Sequence, residues 1–421
     1  MNPLRLLFIC DEYPPLEQGG YAQLCYDLAH ALRERKHQVT VLCATSRQQL
    51  VETEPVVREL RIPVCYEDRW PVPIQQIMLA SSRRRHNLRV LKRVLNETQA
   101  QAVLFWPTYY VDPELMLMAE HIPNLVVSYY IAGFSPTQPS LLNEYWSHPG
   151  KTRVARLAKS FLRPMLGKCE CPSMPLALRH VMCVSEYERQ RVIRDGVSPS
   201  NALVVRNGID LTQFRFLGLP STRRQPGAPL RVLYSGRLAE TKGAHTAIEA
   251  VRWLHQTEPR VVVCLALLGT GKPDYVHDLD QRIVAYGLVD RVKRYDWIPR
   301  DQVPDFMAGF DVLVLPTVHP EPLARVVQEA MATGLVVVAT PTGGTPEIVR
   351  DGITGLLFVP NNSVELAKCL LRLYSDLTLC DQLARAARDL VRDKFTIQSM
   401  AEAIEHQFCE WIELETVSGG K

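Results

Sequence analysis

Short apolar runs recur along the chain, each closed by a glycine, proline or polar cluster, and stretches with apolar positions at helical spacing lie between them. LRLLFIC at 4–10 leads through DEYPPLEQGGY into a segment that sets Leu24, Leu28 and Leu32 on one helical face, and QVTVLCA follows as the next strand. LRVLY at 230–234 precedes helical TAIEAVRWL, and LLGTGKP at 267–273 is another strand running into a glycine turn. VLVLP at 312–316 and VVVAT at 336–340 enclose a helix-forming EAMA stretch. Strand, helix and strand in that order are βαβ units, so the pattern predicts an α/β chain.

Ligands in such sheets sit at the carboxyl ends of the strands, where helix N-termini point. Glu321 and Glu329, in HPEPLARVVQEAMATG, fall there, the first in the loop before a helix and the second inside it. Acids at this spacing span about 12 Å if helical, close to the reach from a sugar to a ribose across a diphosphate. A glutamate pair on a helix is also the ordinary mark of a solvated face. The glycine loop of the same unit and three further turns, LLGTGKP the weakest of them, favour a site. TPTGGTPE supplies Gly343 and Gly344 for close backbone approach, Thr345 as an N-cap and Pro346 at the first helical position, with amides that could hold an anion. SGRLAETKG at 235–243 brings Arg237 and Lys242 to a strand-to-helix turn, where a leaving diphosphate needs positive charge. Gly19 and Gly20 stand just before the first helix, where bare backbone can approach a phosphate or an acceptor. That turn is not G-x-G-x-x-G, so it gives no sign of a nicotinamide or flavin cofactor.

EPLARVVQE with the following PTGGTPEIVRDGITGLLF resembles the E-x7-E motif and glycine loop of the family 4 retaining glycosyltransferases. GRLAETKG is similar to that family's G-R-L-x-x-x-K-G phosphate motif, and VVRNGID at 204–210 to its N-G-I/V-D segment; VSEYER and DVLVLPTVHPEP agree more weakly. The resemblance covers nearly the whole chain. It implies the GT-B fold: two facing Rossmann-like domains with parallel sheets and a deep interdomain cleft, where the donor docks and closure excludes water. It also implies transfer of a sugar from a UDP- or GDP-linked donor to a hydroxyl acceptor, with retention of anomeric configuration, in glycan, polysaccharide or glycolipid synthesis. By the same carry-over Glu321 contacts donor-sugar hydroxyls, Glu329 the ribose, and Arg237 with Lys242 the diphosphate. Arg237, Lys242 and Glu321 form the implied catalytic set. The donor-binding set is Gly19, Gly20, Gly236, Gly269, Ala324, Arg325, Val326, Glu329, Gly343 and Gly344.

Two departures stand out. Ala324 replaces a common glycine and narrows the space beside the sugar. The segment NLVVSYYIAGF lacks the histidine that many members carry after this strand, and His121, His148 and His180 read as surface or structural residues. Retaining transfer of this kind relies on the departing phosphate oxygen as base. Two alternatives stay open on the same fold: a non-catalytic sugar-nucleotide binder, and a sugar-nucleotide epimerase.

The chain has 421 residues, more than one hydrophobic core usually serves. The expected division is an N-terminal domain at 1–205, a donor domain at 206–395, and a helix at 396–421 returning to the first. FLGLPSTRRQPGAP at 216–229, rich in proline, glycine and arginine, is the linker candidate. Eleven irregularly spaced cysteines and no signal peptide point to a reducing cytoplasm. Cys169 and Cys171 form an isolated C-x-C, and Asp278 with Asp280 a D-x-D in a helical stretch, so no metal or other cofactor is expected.

A net charge of +3 is too small for a nucleic-acid binder. Residues 151–168 and 83–94, however, each hold six cations and no acid with apolar residues interleaved, as membrane-surface helices do and as solvated helix faces also do. No apolar run is long enough to span a bilayer. The partners implied are a nucleotide-sugar donor, a glycan, lipid-linked or small-molecule acceptor, and an anionic membrane surface that the enzyme meets peripherally from the cytoplasmic side.

Overall fold

A computed structural model describes residues 2–15, 20–45, 54–62, 79–106, 110–133, 136 and 175–418. The chain divides into two compact units, one of Met1–Val184, Arg189–Val205 and Ala401–Lys421, the other of Ser185–Glu188 and Arg206–Met400.

In the first unit the order is β1 (Arg5–Ile9), α1 (Gly20–Glu34), β2 (Gln38–Ala44), β3 (Val56–Leu60), α2 (Ala80–Thr98), β4 (Ala102–Phe105), α3 (Pro113–Glu120), β5 (Val126–Ile131) and β6 (His180–Cys183). Helix α4 (Glu186–Arg194) and β7 (Ala202–Val204) follow. The seven strands pair in parallel in the order β3-β2-β1-β4-β5-β6-β7. Both faces of such a sheet are covered, which is why β4 is apolar throughout and every residue of β5 is buried, Ser128 included, its hydroxyl donating to the Val103 carbonyl (2.9 Å). Leu24, Leu28 and Leu32 of α1 are fully buried, as their spacing requires. Gly20 is the first residue of α1 rather than part of a turn before it, and Gly19 lies outside the described residues.

The second unit contains α5 (Pro220–Arg223), β8 (Leu230–Ser235), α6 (Ala244–Thr257), β9 (Val263–Leu268), α7 (Pro273–Ala285), β10 (Val292–Tyr295) and α8 (Val303–Ala308). Then come β11 (Val312–Leu315), α9 (Arg325–Thr333), β12 (Val336–Ala339), β13 (Leu356–Leu357), α10 (Ser363–Ser375), α11 (Leu377–Lys394) and α12 (Ile397–Ser418). Its parallel sheet runs β10-β9-β8-β11-β12-β13, with the order reversing between β8 and β11. In a doubly wound sheet that switch point, at the strands' carboxyl ends, is where ligands bind.

Three boundaries differ from those expected. Segment 216–229 is no linker but part of the second unit. Arg223 donates to the carbonyls of Phe310 (3.0 Å) and Gly334 (2.9 Å), and Arg224 to that of Leu373 (2.8 Å). Ser185–Glu188 join the second unit because the Glu347 carboxylate accepts from the amides of Glu186 (3.0 Å) and Tyr187 (2.9 Å). The C-terminal crossing begins at Ala401, not 396. Phe395–Ile397 are held by Ile209, whose amide donates to Phe395 (2.8 Å) and whose carbonyl accepts from Ile397 (3.0 Å). Beyond Ala401, α12 packs within the first unit, where Glu405 pairs with Arg35 (2.5 Å) and His37 (3.1 Å).

The basic stretch 83–94 lies in α2. Its apolar face, Val90, Leu91, Val94 and Leu95, is buried in the core of the first unit, so α2 has no apolar face to lay on a bilayer. Arg84 pairs with Glu114 and Arg93 with Glu59, while Arg85, Arg89 and Lys92 stay exposed. Residues 151–168, with His148, Cys169 and Cys171, lie outside the described residues. Among those described, no helix is long and apolar enough to cross a membrane.

Candidate active site

Strand β8 runs out into Gly236 and the exposed Arg237, and buried Leu238 then anchors the turn by donating its amide to the Thr270 carbonyl (2.7 Å). The turn after β9 packs directly beside it: a Cβ on Gly269 would meet the Gly236 carbonyl oxygen at 2.0 Å. A 3-10 turn at Glu240–Lys242 leads into α6. The Tyr234 hydroxyl donates to the Arg237 carbonyl (2.8 Å) beneath this turn, and burial pushes its pKa well up, with the Tyr275 and Glu321 charges adding to the effect. Beside it, His245 Nδ1 lies 2.8 Å from the Tyr275 hydroxyl; burial lowers the histidine and raises the phenol to about 12.

After β11 the chain crosses to this turn. The buried Thr317 hydroxyl donates to the Thr241 carbonyl (3.0 Å), and Val318 donates its amide to the same oxygen (2.9 Å). Glu321 Oε1 lies 3.4 Å from the Thr317 hydroxyl and forms an ion pair with Lys242 Nζ. The ammonium and the carboxylate are 20% and 14% exposed, so both are sheltered yet reachable.

The glycine loop after β12 closes on the same segment. A Cβ on Gly343, at φ +59°, would fall 2.1 Å from the Glu321 carbonyl oxygen, and one on Gly344 2.0 Å from that of Pro322. The close approach anticipated for these glycines is thus to the chain's own backbone. The amides of Gly344, Thr345 and Glu347 donate to Glu321, Thr342 and Gly344, so they are not the free anion donors expected. Thr345 is not an N-cap either: it opens a 3-10 turn at Thr345–Glu347 capped by Gly344, with Pro346 second.

Helix α9 starts only at Arg325, so Glu321 is outside it and the about 12 Å helical separation from Glu329 does not apply. Ala324 is the N-cap, at φ −68° and ψ 117°, a conformation that needs no glycine. Val326 is half-buried, and Arg325 is buried at 7% exposure. Glu329 is no solvated residue: at 4% exposure its Oε1 pairs with Arg300 at 2.6 Å, with Arg325 Nε 3.9 Å away.

Several residues that hold the site were not singled out from the sequence. Gln328 donates to the Asn207 side chain (2.8 Å), which clips the N-G-I-D segment onto α9. Ser185 accepts from the Glu188 amide (3.2 Å) at the start of α4, a capping interaction that the S-E-Y-E spelling signals. Arg300 has no comparable local signal. The three histidines supply no catalytic candidate among the described residues: His121 Nδ1 meets the Leu117 carbonyl (2.7 Å), and His180 stacks on Trp411 (4.4 Å). Asp278 and Asp280 pair with Arg282 (2.8 Å) and Arg294 (3.1 Å), and no described cluster of three or more His, Cys, Asp or Glu is placed to hold a metal ion.

Residues 18–213 match the model of Glycosyltransferase Family 4, and residues 221–390 that of Glycosyl transferases group 1. The chain belongs to this glycosyltransferase family. This family 4 chain is 25% identical to the glycogen synthase of Mycobacterium tuberculosis, over 95% of the chain and 93% of that protein. It is 32% identical to the D-inositol 3-phosphate glycosyltransferase of Arthrobacter sp., over 43% of each. Relatives at 30% identity or more are matched over about half of their length. The crystal structure of Anabaena Alr3699/HepE in complex with UDP superposes with a TM-score of 0.67 at 21% identity, covering 97% of this chain and all of that one. The fold of this family 4 glycosyltransferase is GT-B.

Proposed function

We propose that this glycosyltransferase moves a sugar from a nucleotide-diphosphate donor, UDP- or GDP-linked, to a hydroxyl acceptor with retention of configuration and without a metal. The observation that carries the reading is the Lys242–Glu321 pair, which unites a cation suited to a diphosphate and a carboxylate suited to sugar hydroxyls at the sheet's switch point. The HepE structures hold UDP and UDP-glucose on the same fold, which supports the donor class.

In this reading the acceptor oxygen bonds to the anomeric carbon on the face from which the diphosphate departs. The bond from that carbon to the phosphate oxygen breaks, and the departing oxygen takes the acceptor proton. Lys242 and Arg237 stabilise the negative charge that develops there, and Glu321 orients the sugar. The deciding experiment is thermal stabilisation by a panel of UDP-, GDP- and ADP-sugars, followed by product stereochemistry by NMR in the presence of EDTA. No shift with any donor, an inverted product or loss of activity in EDTA each overturns the corresponding part.

A non-catalytic sugar-nucleotide binder is the second reading, favoured by the structural posts of His121 and His180. It binds donor and yields neither transfer nor donor hydrolysis. The acceptor is a glycan, a lipid-linked sugar or a small molecule. Cytoplasmic residence and peripheral attachment to anionic membrane through Arg85, Arg89, Lys92 and residues 151–168 complete the proposal; failure to sediment with anionic liposomes at low salt overturns the attachment.

A further inference from the structure

Glu329 is held more firmly than a hydroxyl acceptor on a helix needs to be. Its Oε1 lies 2.6 Å from Arg300 Nη1, and the Arg300 guanidinium lies over the ring of fully buried Phe214, 4.8 Å from its centroid. The carboxylate is 6% exposed and the arginine 22%. Exposed ion pairs wander among rotamers, whereas a planar cation clamped between an aromatic face and a carboxylate has one arrangement. Only one nitrogen of this guanidinium is used. Arg300 Nε and Nη2 are shut off from solvent without an acceptor among the described residues. Buried donors in that condition are costly, and a ligand that brings oxygen atoms relieves the cost.

We infer that Arg300 is a positioning residue for the donor nucleotide, acting with Glu329 as one donor/acceptor pair that reads the ribose diol. This rests on the sugar-nucleotide reading above. With Oε1 engaged by Arg300, Glu329 turns its other oxygen to accept from one ribose hydroxyl. The spare N–H groups of Arg300 donate to the oxygen of the neighbouring hydroxyl. A vicinal diol, with a donor and an acceptor on each oxygen, matches this pair, and a 2′-deoxyribose does not.

The test is calorimetric binding of UDP, GDP and ADP, and of their 2′-deoxy counterparts, to the whole chain and to Arg300→Met, Arg300→Lys, Glu329→Gln and the double variant Arg300→Met with Glu329→Gln. The wild-type chain is expected to prefer the ribonucleotide about tenfold, or ~1.4 kcal/mol. Arg300→Met loses about that factor for the ribonucleotide and little for the deoxy form, and the double variant binds no more weakly than Glu329→Gln alone. Arg300→Lys recovers only part, because it lacks the planar fork. In turnover the loss falls on donor KM, with kcat nearly unchanged. Equal losses for the two sugars, or a lowered melting temperature with unchanged ribonucleotide affinity, reduce Arg300 to a structural brace and overturn the inference alone. Absence of binding by every nucleoside diphosphate to the wild-type chain overturns the donor reading and this inference with it.

Discussion

Lys242 and Glu321 are 79 residues apart in sequence, and their side chains form an ion pair that joins the turn after β8 to the loop after β11. A partly exposed pair contributes at most about 1 kcal/mol to stability, too little to explain a contact that Thr317, Thr241 and the Gly343 loop all buttress. Its consequence is placement: a mobile ammonium is fixed beside a carboxylate where two strand ends diverge.

Lys242→Ala should therefore damage turnover more than binding. Removing one preorganised charge from a developing anion costs about 100-fold or more in kcat, while donor affinity, shared with other contacts, should change only by about a few-fold. Lys242→Arg changes both charge geometry and reach, and it should not restore full activity. Steady-state kinetics with the donor that stabilises the wild-type chain decide the matter; equal losses in kcat and affinity would remove Lys242 from the transition state.

The strands and helices were legible because their signals are local. VLVL at β11 and VVVA at β12 are buried on both faces and read as uninterrupted apolar runs. In the E-x7-E segment the placement of Glu321 in a loop and Glu329 inside a helix was legible, but their separation was not, since the helix begins only at Arg325 and the helical spacing fails. Segment 216–229 has the composition of a linker, and only the carbonyls that Arg223 and Arg224 find across the unit reveal it as packed structure. Arg300 was invisible for the same reason. Its meaning lies in Glu329 and Phe214, both distant in sequence.

Glu329→Ala is expected to abolish the donor's stabilising effect. A ligand at about a hundred times its dissociation constant adds roughly 2.7 kcal/mol to the wild-type chain. The variant should also melt lower without ligand, since it leaves Arg300 and Arg325 facing each other without their shared carboxylate. Glu329→Gln keeps the volume and separates the two effects. A donor-dependent shift that survives in both variants would detach Glu329 from the donor.

His180 gives the first unit a pH dependence. Burial, with a smaller contribution from Arg179, lowers its pKa to about 4, against about 6.5 in an unfolded chain. The folded state therefore refuses a proton that the unfolded state accepts. This contribution to stability is present above about pH 6.5 and is lost as the pH falls toward 4. Replacing the imidazole by a ring that cannot titrate, His180→Phe, keeps an aromatic partner for Trp411 and should flatten the loss. Denaturant melts of both proteins at pH 7 and pH 5 give the comparison; parallel losses would show that other groups govern the acid limb.

Gly343 offers a test of whether the site depends on its loops meeting. At φ +59° any L side chain carries left-handed strain of about 1–2 kcal/mol, and here a Cβ would also overlap the Glu321 backbone, 2.1 Å from its oxygen and 2.6 Å from its nitrogen. Backbone atoms cannot swing aside as a flexible side chain can. Gly343→Ala should push Glu321 off Lys242 and break the Gly344 amide's bond to the Glu321 carbonyl (2.7 Å). Gly352 is the natural control, because its φ of +68° carries the same strain with nothing among the described residues within 4 Å of the added carbon. Gly352→Ala should lose a little stability and keep its activity, whereas Gly343→Ala should lose more stability and most of its turnover. Equal behaviour of the two variants would mean that strain alone matters at Gly343 and that the position of Glu321 is set elsewhere.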